Sequence, residues 1–201
     1  MSGATAVSAE TIPEDRRTDL LERLVVEIAQ EVFANNARAE KLAEACDALA
    51  ALINGGESEG KAVRVRGHMQ FARNKHEEAV VLYERAIELF QAAGSRVEEA
   101  RTKSSGLQSW IYLGRYEQAV AWSEKAQQVF EEEHDELRLA RLHSNRGNIL
   151  YRQDRYQEAL STYELARKEL ERIGNARDVA SVITNMATGW RSSADPFPTT
   201  R

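Results

Sequence analysis

The sequence predicts an all-α fold, a solenoid of antiparallel helix pairs, on three observations. First, a short segment recurs at a fixed period. Arg155-Tyr156-Gln157-Glu158-Ala159 echoes Arg115-Tyr116-Glu117-Gln118-Ala119, and a third copy reads Lys75-His76-Glu77-Glu78-Ala79. The three alanines are 40 residues apart, and Ala39 lies 40 before Ala79. A period of this size marks a stack of similar supersecondary units. Second, proline occurs only at positions 13, 196 and 198, so nothing from Glu14 to Asp195 forces a helix to break. Third, apolar residues form one-sided stripes at steps of three and four: Ala79, Val80, Tyr83, Ala86, Ile87 and Phe90 in one segment, and Ala159, Leu160, Tyr163, Ala166 and Leu170 in another.

In chain order, residues 1–15 read as a disordered leader, small and polar. A repeat array over 16–191 follows, in units of about 17–56, 57–94, 95–134, 135–175 and a half unit 176–191. The first unit holds helices near 17–33 and 37–53 and ends at the breaker Asn54-Gly55-Gly56-Glu57-Ser58. Helix pairs are then expected at 58–73 with 76–92, 96–113 with 116–132, and 136–153 with 156–173. A last helix starts near Ala176 and stops before Pro196. The turns within pairs are Arg73-Asn74-Lys75, Leu113-Gly114-Arg115 and Gln153-Asp154-Arg155. Those between pairs are Ala93-Gly94-Ser95, Glu133-His134-Asp135 and Gly174-Asn175. Gly and Asn accept the left-handed backbone that ends a helix, and turns this short allow only antiparallel neighbours. Residues 192–201 read as a polar, proline-bearing tail. Gly67 and Gly147 also lie 40 apart inside first helices. A helical Gly costs about 1 kcal/mol relative to Ala, so its recurrence points to close helix approach.

These positions resemble the tetratricopeptide repeat family, whose pattern is a small residue in the first helix, a tyrosine before an alanine, then an aromatic and a second alanine. Here the pattern reads Gly147, Tyr156, Ala159, Tyr163, Ala166, and earlier Gly67, His76, Ala79, Tyr83, Ala86. The middle copy departs from it, with Leu107, Tyr116, Ala119, Ser123 and Ala126. The first is degenerate, with Asn36, Ala39, Ala43 and Cys46. The period of 40 exceeds the family's usual 34, and the closing proline is absent. Both follow if each helix is longer by about a turn, as in repeats similar to those of kinesin light chains and of large bacterial signalling proteins. The resemblance implies a right-handed superhelix whose first helices line a concave groove for a partner peptide. It implies a non-catalytic interaction scaffold, or alternatively the N-terminal sensor arm of a longer bacterial signalling protein carrying an effector such as a caspase-like protease or a transcription regulator.

On this phasing the groove is lined by Lys61, Arg64, His68, Arg101, Ser104, Gln108, Tyr112, Arg141, Ser144, Asn145, Asn148 and Arg152, with Thr184 and Asn185 continuing the lane. Lys61, Arg101 and Arg141 recur at one place in the repeat. Such a cationic, amide-rich strip suits an acidic partner or a peptide's C-terminal carboxylate through charge-assisted hydrogen bonds. The competing reading is a solvated helix face, its cations paired with Glu98, Glu99 or Glu136 about one turn away. Tyr83, Tyr116, Tyr156, Tyr163 and Trp110 read as packing residues.

Composition narrows the function classes. The net charge is -5 with no long basic run, which disfavours nucleic acid as the main partner. No apolar stretch approaches the length of a membrane span, no signal-peptide pattern opens the chain, and the expected location is the cytoplasm. The single cysteine, Cys46, sits among Ala43, Ala45 and Leu49 and reads as a buried thiol. His68, His76, His134 and His143 include no metal pair at one-turn spacing. Ser104-Ser105-Gly106 falls inside a helix, unlike a nucleophile elbow. No cofactor, metal or catalytic motif is expected. The last helix, with Ile183, Met186 and Trp190, lacks the second helix of its pair. A capping role, a longer natural chain, or cover by a partner or second copy would each account for it, and self-association through this face is expected in the last case.

Overall fold

A computed structural model gives the fold. It describes residues 9–53 and 55–194, with side chains from 10 to 187. Among the described residues there are nine α-helices, a short 3-10 turn at Ala9–Thr11, and no strand. The helices are α1 (Glu14–Glu31), α2 (Asn36–Leu52), α3 (Gly56–Ala72), α4 (His76–Ala92), α5 (Arg96–Tyr112), α6 (Tyr116–Glu132), α7 (Glu136–Arg152), α8 (Tyr156–Ile173) and α9 (Ala176–Ala194).

The turns explain this regularity. Left-handed residues recur every 20 positions: Asn74, Gly94, Gly114, His134, Asp154 and Gly174, with φ from 54° to 81°. After each, the next amide donates back five residues: Lys75 to Gln70, Ser95 to Phe90, Arg115 to Trp110, Asp135 to Phe130, Arg155 to Leu150 and Asn175 to Leu170, all at 2.8–3.0 Å. This bond satisfies a carbonyl that the helix end leaves open, and only a left-handed residue allows it. Three helices then start on side-chain caps: Asn35 accepts from the Arg38 amide, Asp135 from Arg138 and Asn175 from Asp178.

The first boundaries differ from expectation. Helical structure begins inside the segment read as a leader, and α1 starts at Glu14, directly after Pro13. Proline presets a backbone angle suited to a helix start and has no amide to leave unpaired there. In the same way α3 starts at Gly56, earlier than 58. Ser58 ties back the preceding turn by donating to the Ile53 and Gly55 carbonyls, both at 2.8 Å. Residues 1–8 and 195–201, most of the expected leader and tail, lie outside the described residues, as do Asn54 and the side chain of Trp190.

The chain divides into two compact units, Met1–Thr102 and Lys103–Arg201. In the first, α1, α2 and α3 enclose a core of Leu21, Ile28, Val32, Ala43, Cys46, Leu49, Val65 and Met69. Burial pushes the Cys46 thiol up to about 12, so it stays protonated and packs as a small apolar group. In the second unit, Ala140, Ala159, Tyr163, Ala166, Leu170 and Val182 form the core of α7, α8 and α9. The partner helices approach closely through glycine. A Cβ on Gly67 would lie 2.7 Å from the Tyr83 ring, and one on Gly147 would lie 2.4 Å from the Tyr163 ring. The middle unit inverts this arrangement. Leu107 stands at the glycine position and Ser123 at the tyrosine position, both buried. Bulk on the first helix is thus matched by its removal from the second.

Candidate functional site

The candidate site is the face of the first helices, and the two units use it differently. In the N-terminal unit its cations are consumed internally. Lys61 is only 7% exposed. Its Nζ is hydrogen-bonded to Glu22 of α1 and lies 2.6 Å from Glu57 one turn back. Glu57 also accepts from the Ser95 hydroxyl. Burial opposes the charge on Lys61, but the two carboxylates outweigh it and hold its pKa above the usual lysine value. Glu57 is held below the carboxylate range by its bonds from Lys61 and Ser95.

Arg64, also 7% exposed, reaches Glu98 at 2.6 Å and lies over the Phe90 ring, 5.4 Å from its centroid. Glu98 takes a second ion pair from Arg101. Burial works against the Glu98 carboxylate, yet Arg64 and Arg101 keep it below its ordinary range. His68 packs beside Tyr83, with ring centroids 5.6 Å apart. Burial first, and the Arg64 charge second, push its pKa down to about 3. Lys61 and Arg64, which the phasing of the repeat puts on the groove, are thus buried and already paired in this unit.

The C-terminal unit keeps a polar face. Ser104, Gln108 and Tyr112 come from α5, and Arg141, Ser144, Asn145, Asn148 and Arg152 from α7. Gln108 donates to Asn145 at 3.0 Å, and Asn148 accepts from the Tyr163 hydroxyl at 2.7 Å. The Arg152 guanidinium lies over the Tyr112 ring at 5.7 Å, and Tyr112 is 56% exposed. Arg141 pairs with Asp178 of α9 at 2.5 Å but remains half exposed. Arg141, Ser144 and Asn145 line one small hollow together with Leu170, Asp178, Ser181 and Val182. Asp178 and Ser181 escaped the sequence reading. The available signal was spacing: Asp178 follows Arg141 by 37 residues, close to one period. Thr184, expected to extend the lane, turns its hydroxyl onto the Ala180 carbonyl in its own helix.

A groove lined by Ala51, Gly55, Gly56, Glu59 and Val63 matches one lined by Glu171, Asn175, Ala176, Val179 and Ile183, each position offset by 120 residues or three periods. The hollow is thus a property of the repeat. Trp110 is buried edge-on against Trp122, with centroids 5.5 Å apart. Among the described residues no group of three His, Cys, Asp or Glu side chains could hold a metal ion, and no helix is long and apolar enough to cross a membrane.

Comparison with known proteins agrees with this architecture. Residues 111–171 match the model of the tetratricopeptide repeat family. No curated protein matches the sequence. Among solved structures, the fold is similar to the crystal structure of BtubC (BKLC) from P. vanneervenii, at 16% identity and a TM-score of 0.63, covering 90% of this chain and 84% of that one. That likeness shows the fold alone. Repeats of this kind generally mediate protein–protein interaction and are typically non-catalytic. Among the described residues the chain is an all-α array of antiparallel helix pairs, and its residues 111–171 match the tetratricopeptide repeat model.

Proposed function

We propose that the chain is a non-catalytic interaction scaffold that holds a peptide or protein segment on the first-helix face of its C-terminal unit. One observation carries the reading. Gln108, Ser144, Asn145 and Asn148 make a lane of amides and hydroxyls, bounded by half-exposed Arg141 at one side and by Arg152 over exposed Tyr112 at the other. Side-chain amides offer both donors and acceptors, which suits the main chain of an extended segment. The two guanidinium groups suit carboxylates on that segment, including a C-terminal one. In this reading Lys61, Arg64, His68 and Arg101 stabilise their own unit, and the acidic preference rests on Arg141 and Arg152.

Site-specific photocrosslinking tests the proposal. A crosslinker at Ser144 or Asn145 should capture a cellular protein. The same group at Leu165, exposed on a second helix, should not. The captured protein should then bind the purified chain, and Arg152→Ala with Asn145→Ala should weaken that binding tenfold or more. Equal capture from both faces, or affinity unchanged by the double substitution, would sink the reading.

A further inference from the structure

The hollow beside Arg141 has a filled counterpart in the N-terminal unit. Two periods back, Ser144, Leu170, Asp178 and Ser181 become Arg64, Phe90, Glu98 and Arg101. There the side chain of Arg64 occupies the place. Its guanidinium lies over the Phe90 ring, 5.4 Å from the centroid, and meets Oε2 of Glu98 at 2.6 Å. Arg101 takes Oε1 of the same carboxylate. One acid thus serves two guanidinium groups.

In the C-terminal unit both arginines are serines, Ser144 and Ser181, yet the acid is kept as Asp178. Arg141 replaces only one of the two cations. Its counterpart Lys61 turns to Glu57 one turn back, but Leu137 stands at that place beside Arg141, which turns to Asp178 instead. Arg141 and Asn175 both bond to Oδ2 of Asp178, at 2.5 and 2.9 Å. Among the described residues Oδ1 accepts no hydrogen bond. Where Arg64 runs in the first unit, the second has a hollow of about 210 Å³, floored by buried Leu170 and Val182. The contacts of Arg64 come from α4 and α5. Their counterparts α8 and α9 both wall the hollow, so no helix beyond α9 is needed to form it. The middle pair has neither member, with Ser104 and Arg138 at the positions of Arg64 and Glu98. An acid therefore accompanies the arginine in one unit and the hollow in the other.

We infer that this hollow binds the guanidinium of an arginine side chain on the segment that the first-helix face holds. The source of that side chain rests on the scaffold reading above, and its chemistry rests on the repeat. The guanidinium lies on Leu170 as that of Arg64 lies on Phe90, and donates to Oδ1 of Asp178. A planar, weakly hydrated guanidinium suits a partly buried carboxylate better than an ammonium does. The hydroxyls of Ser144 and Ser181 can accept its remaining N–H groups. A carboxylate on the same segment can take Arg141 or Arg152, so the segment carries an arginine among acids.

The test titrates two probes into the full chain and follows its backbone amides by NMR. They are N-acetylarginine amide and N-acetylcitrulline amide, which share a side-chain shape but differ in charge. The arginine probe should shift Ser144, Asn145, Asp178 and Ser181 saturably, and the citrulline probe should bind at least tenfold more weakly. Asp178→Asn should bring the arginine probe down to the citrulline level. Ser144→Arg supplies the group from the chain itself. It should abolish arginine binding and raise the Tm, and adding Asp178→Asn should remove that rise. Equal binding of the two probes, or arginine binding that survives Asp178→Asn, overturns the inference. The two readings fail separately. A protein captured at Asn145 that binds Ser144→Arg as tightly as the native chain leaves the scaffold standing and overturns the hollow's role. Arginine binding with no captured protein keeps the hollow as a guanidinium site and removes the scaffold.

Discussion

Moving the middle unit's solution into the last complete pair gives a decisive test of how the helices fit. Gly147→Leu places a Cβ 2.4 Å from the Tyr163 ring, and the ring cannot step aside. It is 1% exposed, and its hydroxyl is hydrogen-bonded to Asn148. Overpacking of this kind costs about 1–3 kcal/mol, and losing a helical glycine returns about 1 kcal/mol. Tyr163→Ser alone empties a fully buried ring site, at about 3–5 kcal/mol. Acting independently, the two changes together would cost roughly 3–7 kcal/mol. The pair Leu107 and Ser123 shows that the same repeat tolerates both changes at once. The double variant should therefore be more stable than the sum of the singles by about 2 kcal/mol, within the coupling that residues in contact show. Urea unfolding of the four proteins measures this. With a slope of about 1–3 kcal/mol per molar, such coupling moves the midpoint by about 1 M from the additive value. Amide exchange in α7 and α8 should follow the same order. Losses that add to within about 0.5 kcal/mol would refute the reciprocity.

Three further outcomes follow from the same structure. Glu98→Ala leaves the buried Arg64 without its carboxylate and should cost about 3–5 kcal/mol, whereas replacing the pair together, Arg64→Met with Glu98→Leu, should cost far less; thermal melts of both variants decide this, and equal losses contradict it. His134 is the bulkiest of the left-handed turn residues, so His134→Gly should relieve strain of about 1–2 kcal/mol, less about 0.4–1 kcal/mol for the freer unfolded chain; an unchanged or lowered urea midpoint would show that the turn is unstrained. His68 titrates near 6.5 when unfolded and near 3 when folded, so the unfolded chain binds the extra proton between those values. Its contribution is complete above pH 6.5 and is lost as pH falls toward about 3; between pH 7 and 5 the chain should lose stability faster than a His68→Gln variant, and parallel curves would contradict the burial of the neutral ring.

How far the sequence could be read depended on the range of the interaction. The turns were legible because a left-handed residue and its backward hydrogen bond involve only six consecutive positions, and these recur every 20 residues. The α4, α6 and α8 boundaries agree with the pattern for that reason. The start of α1 departs from it, because Pro13 stands in a small, polar segment that reads as a leader. The fate of the groove cations was hidden for a different reason. A carboxylate one helical turn away is legible from spacing, as Glu98 is for Arg101. But Lys61 finds Glu22 at a separation of 39 residues, Arg64 finds Glu98 at 34, and Arg141 finds Asp178 at 37. All three lie near one period. In a stack, the nearest charged neighbour of a first helix is the adjacent first helix, so acids should be sought about 40 residues away as readily as four.

That rule also separates the two faces by physical cause. In the N-terminal unit the cations meet acids in a setting where Lys61 and Arg64 are 7% exposed. Removing a buried charge's partner costs several kcal/mol, so recruiting those cations for a ligand carries the same penalty. In the C-terminal unit the corresponding pair is Arg141 with Asp178, and Arg141 is half exposed. An exposed pair is worth about 0–1 kcal/mol, so a ligand carboxylate can displace Asp178 at small cost. Equivalent repeat positions thus differ in availability because of their burial, which the period alone does not encode. A salt titration distinguishes the two. Ligand affinity on the C-terminal face should fall as salt screens Arg141 and Arg152, while protection of the α3 amides should change little over the same range. An affinity indifferent to salt would mean that the amides alone hold the ligand, and that these guanidinium groups play no part in choosing an acidic one.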